Sequence, residues 1–136
     1  MESSLKDKLS KWSETKDISL ATDICEMLFS AYAENGRNAD DVIADVALWG
    51  VEKNLTDPKA QLNKVIEEVG EMAHEITRNR YDTDEMRDSI GDTLVTIIIL
   101  SYILGHDPIE CLDGAYQVIK NRTGHTSSGT FVKDDQ

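Results

Sequence analysis

Residues 57–104, DPKAQLNKVIEEVGEMAHEITRNRYDTDEMRDSIGDTLVTIIILSYIL, decide the fold. Asp57-Pro58 is a helix start. The aspartate can accept from free backbone N–H groups, and a proline at the first helical position leaves no N–H unpaired. At about 100° per residue, Leu62, Val65, Val69, Met72 and Ile76 share one side of the helix that follows. Lys64, Glu67, Glu68, Glu71 and Glu75 occupy the other, and the helix runs to about Arg78. Asn79–Thr83 is a polar turn, and Asp82 with Glu85 has the spacing of a capping box. That launches a second helix through Leu104, which Gly105 ends. On it Asp88 and Asp92 lie on the stripe of Val95, Ile99 and Ile103, and beyond Asp92 the helix is apolar almost all round, the pattern of a buried element.

The same signals recur on both sides. Ser19 to Glu34 carries Ile24, Met27, Leu28 and Ala31 at helical spacing and stops at Asn35-Gly36. Asp40 to Lys53 carries Val42, Ile43, Val46, Leu48, Trp49 and Val51. Asp107-Pro108 repeats the aspartate–proline start for a helix to about Arg122. Gly124 to Gly129 reads as a loop, and Thr130-Phe131-Val132 as a short apolar clip. In the first 18 residues, Leu5, Leu9 and Trp12 allow either a short helix or loose packing. No convincing strand pattern interrupts this. The expectation is an all-α, antiparallel bundle of about five helices in one domain, with residues 1–40 an N-terminal extension, 41–124 the core and 125–136 a tail.

A formal net charge of −12 disfavours nucleic-acid polymers and anionic membranes as partners. The most apolar run, Leu94 to Leu104, is well short of the ~20 residues that span a bilayer. The first residues lack the apolar segment of a signal peptide. A soluble, cytoplasmic protein is expected. Cys25 and Cys111 lie far apart in amphipathic stretches, which favours buried free thiols over a disulfide. His74, His106 and His125 are scattered, and no spacing suggests zinc.

Chemistry concentrates in two acidic clusters, Glu67-Glu68-Val69-Gly70-Glu71 and Asp88-Ser89-Ile90-Gly91-Asp92. One charged helix face is ordinarily a solvated face. Two facing acidic sets repel unless something positive sits between them, and a hard divalent cation held by carboxylate oxygens meets that need. Asp92 stands at the mouth of the apolar stripe, where an unpaired carboxylate is costly. A metal, Arg78, Arg80 or a protonated neighbour could pair with it, and the second acidic helix favours the metal. Gly70 and Gly91 each cost about 1 kcal/mol relative to Ala inside a helix. They would permit close approach of the two backbones, although plain helix crossing would use them equally.

The combination Glu67-Glu68-x-x-Glu71 and Asp88-x-x-x-Asp92 resembles the all-α nucleoside triphosphate pyrophosphohydrolases of the MazG type, related to the dimeric all-α dUTPases. The likeness is to small single-domain members, including those of bacteriophages, and covers about Ala47 to Lys133. It includes Trp49, Asp57-Pro58, Gln61, Lys64, Leu104-Gly105, Ala115-Tyr116, Ile119-Lys120-Asn121-Arg122, Gly124 and Gly129-x-Phe131-Val132-Lys133. The family's second motif puts a carboxylate where Ser89 stands, and Asp88 precedes it here. The resemblance implies Mg²⁺-dependent hydrolysis of a (deoxy)nucleoside triphosphate to the monophosphate and pyrophosphate, with Mn²⁺ able to substitute. It implies Glu68, Glu71, Asp88 and Asp92 as metal ligands and Glu67 and Glu71 as catalytic residues. Lys64, Lys120 and Arg122 would meet phosphates, and Trp49 and Tyr116 the base. Lys120 and Arg122 can equally complement a helix dipole, and the two aromatics can equally be core. A homodimer or homotetramer is implied, with the pocket near a subunit interface. Rival readings are a phosphoribosyl-ATP-type pyrophosphatase and a non-enzymatic acidic helical interaction module.

Overall fold

The computed structural model describes residues 5–15, 17–34 and 36–134. They form six helices, α1 Leu5–Thr15, α2 Ile18–Glu34, α3 Ala39–Glu52, α4 Pro58–Thr77, α5 Asp84–Ile103 and α6 Pro108–Ile119, followed by strands β1 Gly124–Ser127 and β2 Thr130–Lys133. The chain divides into two units, Met1–Asp45 and Val46–Gln136.

In the first unit α1 lies along α2, joined by an ion pair from Lys8 to Asp23 at 3.2 Å. The short helix allowed in the first 18 residues is therefore formed. Asp17 caps α2 by accepting from Ser19 N at 2.9 Å, and the Ser19 hydroxyl, also bonded to it, holds the Asp17 carboxyl below its ordinary pKa. Asn38 and Asp41 cap α3 reciprocally, each side chain accepting from the other's backbone N–H.

In the second unit α4 and α5 form the antiparallel hairpin that dominates the packing. Asp57 caps α4, accepting from Lys59 N and Ala60 N, and Asp107 caps α6, accepting from Ile109 N, as the aspartate–proline pairs require. The cap of α5 is Thr83, whose hydroxyl accepts from Met86 N at 3.1 Å. Asp82, the residue expected there, instead binds Arg87, which also holds Asp84. At the other end of α5 Gly105, at φ 77°, terminates the helix, and α6 turns away from α5 by 103°.

The faces are distributed differently from the expectation. On α4 the buried residues are Gln61, Glu68 and Glu75, and on α5 they are Met86, Ser89, Thr93, Thr96 and Ile99. The hairpin thus closes through a largely polar seam. Its hydroxyls bond their own helix, Ser89 to the Glu85 carbonyl, Thr93 to that of Ser89 and Thr96 to that of Thr93. The apolar side of α4 points out, with Ile66 61% exposed, and so does much of α5, with Leu94 56% exposed. In the single chain α5 is therefore covered on one side only. Gly70 and Gly91 are not points of close approach, since a Cβ on either would meet nothing within 4 Å. The close approach is at Gly50 of α3, where a Cβ would stand 3.3 Å from the Ile99 side chain. Cys25 and Cys111 are free as expected but exposed, and α6, which carries Cys111, buries no residue in one chain.

The end of the chain is a β-hairpin, not a loop and clip. Gly124 pairs with Lys133 and Ser127 with Thr130. Ser128 and Gly129 both have positive φ (50° and 77°), the mirror-image turn whose twist suits a two-residue hairpin. A Cβ at Gly124 would collide with the Phe131 ring and the Val132 carbonyl, so the aromatic ring lies over the glycine. Among the described residues no single helix is long and apolar enough to cross a membrane.

Candidate metal and substrate cleft

One wall of the site is built by α4 and the other by α5. Positions Glu67, Gly70, Glu71, His74 and Glu75 recur at three- and four-residue intervals, so they form one strip along α4. Glu85, Asp88, Ser89 and Asp92 form the matching strip of α5. Together these nine residues line an open cleft of about 700 Å³. Six of them are carboxylates and one is an imidazole.

Of the residues expected at the site, Glu67, Glu71, Asp88 and Asp92 are brought together here. Glu68 is not on the cleft lining: it is 8% exposed and faces Lys64 Nζ at 3.5 Å. Lys64 also donates to Glu67 at 3.0 Å, and that bond raises the lysine's pKa above its ordinary value. Asp92 is exposed, so burial does not force a partner on it. Neither arginine considered for it is its partner. Arg80 lies 3.7 Å from Glu75, and Arg78 donates to the His74 ring. Lys120 forms the C-terminal cap of α6 and Arg122 follows it, both exposed and off the cleft lining. Trp49 on α3 and Tyr116 on α6 are likewise exposed and do not line it. A smaller hollow of about 230 Å³, whose walls include Gly50, Leu55, Ile99 and Tyr102, is lined by uncharged residues throughout.

Sequence reasoning missed three residues of the lining, Glu75, Glu85 and His74. Glu75 sat on the acidic face already recognised, one turn beyond Glu71, and Glu85 lies one turn before Asp88 and Ser89. The helical period could have found both.

Among the described residues no three His, Cys, Asp or Glu side chains converge on one point as they stand. The donor set nevertheless fits a hard divalent cation. Carboxylates face one another from two helices, five of the six are exposed side chains that rotamer changes alone can reorient, and a buried oxygen of Glu75 lacks a hydrogen-bond partner.

The fold and the site together define an all-α helical hairpin whose cleft has carboxylates on both walls. The chain belongs to the MazG nucleotide pyrophosphohydrolase domain family, whose pattern matches residues 56–125, from just before α4 into β1. A relative from Haemophilus phage HP1 (strain HP1c1), called an uncharacterized 18.2 kDa protein in the rep-hol intergenic region, is 33% identical over 63 residues. That match covers 44% of this chain and 37% of the phage protein, so the chain spans little more than a third of the relative's length. No solved structure matches the chain.

Proposed function

We propose that this protein hydrolyses a (deoxy)nucleoside triphosphate to the monophosphate and pyrophosphate with the help of Mg²⁺, for which Mn²⁺ can substitute. The observation that carries the reading is the cleft, where Glu67 and Glu71 of α4 face Asp88 and Asp92 of α5. Membership of the MazG family supports the reaction class.

Glu71, Asp88 and Asp92 would hold the cation, and Glu68, off the lining and facing Lys64, would turn toward them to join the set. When bound, the cation neutralises the polyphosphate and eases the charge that develops on the leaving pyrophosphate. Glu67, on the cleft lining, would take the proton of the attacking water. Its Oε1 is engaged by Lys64 at 3.0 Å, which leaves Oε2 as the accepting atom. Lys64, paired with Glu67 at 3.0 Å, would meet a phosphate oxygen at the cleft's edge. Lys120 and Arg122 for phosphate, and Trp49 and Tyr116 for the base, complete the proposed substrate contacts. A single chain does not bring those four to the cleft, and in this reading a second copy would supply them. The outward apolar faces of α4 and α5 support a homodimer or homotetramer, because isolated soluble chains rarely present such continuous apolar surface.

Pyrophosphate release from a panel of ribo- and deoxynucleoside triphosphates, with Mg²⁺, Mn²⁺ or EDTA, tests the reading. Cation-dependent formation of pyrophosphate and monophosphate is expected. No turnover by folded, metal-loaded protein would sink it.

A further inference from the structure

Glu75 is the most buried carboxylate of the cleft lining, with the residue 7% and its side chain 10% exposed. Its Oε2 is buried and has no hydrogen-bond partner. Its Oε1 faces Arg80 Nη1 at 3.7 Å, beyond hydrogen-bond range, and that guanidinium is half in solvent. Ser89, buried on the facing strip of α5, does not serve it either, because the serine hydroxyl donates to the Glu85 carbonyl at 2.9 Å. A buried carboxylate oxygen left unsatisfied is costly, and such atoms persist where something outside the chain satisfies them. Glu68 shows the contrast: it is equally buried on the same helix, yet it has Lys64 within 3.5 Å and stays off the lining.

We propose that Glu75 is a further cation ligand of the cleft, acting with Glu71, Asp88 and Asp92, with Arg80 its loose counter-charge in the metal-free protein. The inference rests on the divalent-cation reading above and extends its ligand set to the C-terminal end of α4. The ligand is a hard divalent cation, because the donors are carboxylate oxygens. Ser89, the serine where a carboxylate would complete the strip of α5, lies on the same lining as Glu75. The acid is thus supplied from the opposite helix.

The test is Mn²⁺ binding by the full chain, followed by calorimetry and by the Mn²⁺ paramagnetic signal, with thermal unfolding recorded with and without Mn²⁺. Wild type, Glu75→Gln, Glu75→Asp and Arg80→Ala are compared. Glu75→Gln should weaken Mn²⁺ about ten- to a hundredfold and lose most of the Mn²⁺-induced rise in Tm. Glu75→Asp, which keeps the charge but withdraws it by one methylene, should weaken Mn²⁺ less. Arg80→Ala should bind Mn²⁺ at least as tightly as wild type. Wild-type affinity in Glu75→Gln would overturn the proposal and leave the catalytic reading standing. Equal loss of Mn²⁺ binding in Glu75→Gln and Arg80→Ala would also overturn it, marking the pair as structural. A wild-type protein that binds no Mn²⁺ would overturn both readings.

Discussion

The Gln61 side-chain amide donates to the backbone carbonyl of Thr96 at 3.1 Å, across the buried seam between α4 and α5. The seam's hydroxyls all bond within α5, so this contact ties the two helices directly in the register that sets Glu71 opposite Asp88 and Asp92.

Gln61→Ala should therefore destabilise the chain by about 1–3 kcal/mol, from the lost hydrogen bond and the space left behind. Urea unfolding followed by circular dichroism measures this. Gln61→Leu, which refills the space, should recover part of the loss, and an unchanged midpoint in both variants would refute the role.

Glu71→Gln and Asp92→Asn should each lower kcat/KM for the preferred triphosphate by on the order of a hundredfold or more, the scale of several kcal/mol of charge stabilisation. Both positions are exposed on their helices, so helicity should be unchanged. EDTA should abolish the wild-type reaction and excess Mg²⁺ restore it. Retained turnover in either variant would remove that residue from the site.

The outward apolar faces predict assembly. Light scattering of the wild type at micromolar concentration should give a multiple of the 15.2 kDa chain mass. Ile66→Lys with Leu94→Lys should shift it toward a single chain and reduce activity with it. A wild-type mass of one chain would show that these faces stay open to water.

The Lys64–Glu67 bond has a definite pH signature. The lysine pKa is raised above its ordinary value of 10.5, first by the bond to Glu67. A raised pKa means the contribution is fully present below 10.5 and vanishes only as pH climbs through the higher folded value. The pair is therefore intact at neutral pH. Titration of Lys64 by NMR should give a lower midpoint in Glu67→Gln than in wild type, and identical midpoints would refute the bond in solution.

Helices were legible because their signals are local. Asp57-Pro58 and Asp107-Pro108 announce α4 and α6 through caps that need no tertiary knowledge. Thr83 and Asp82 are adjacent residues with similar capping chemistry, and the choice fell to Arg87, which takes up the aspartate. Four of the six cleft carboxylates, Glu67, Glu71, Asp88 and Asp92, followed from spacing and from resemblance. Burial of Glu75 did not, because a helical period separates two faces without saying which one a neighbour covers. On α5 the buried positions went to Ser89, Thr93 and Thr96 beside Met86 and Ile99, leaving Ile90, Leu94 and Ile97 outside. The hairpin was overlooked because its strands are short and exposed, although Ser128-Gly129 beside Thr130-Phe131-Val132 carries a turn signal.

For the proposed reaction, the lining of the cleft also constrains the order of binding. Six carboxylates and a single imidazole line the cleft, the space a triphosphate would enter in the proposed reaction. A bare polyphosphate approaching that surface meets like charge, and in a chain of net charge −12 the wider field adds to the repulsion. The nucleotide should consequently enter as its cation complex, or after the cation, and never before it. Free triphosphate in excess over Mg²⁺ would then slow the reaction by withdrawing the ion that admits it.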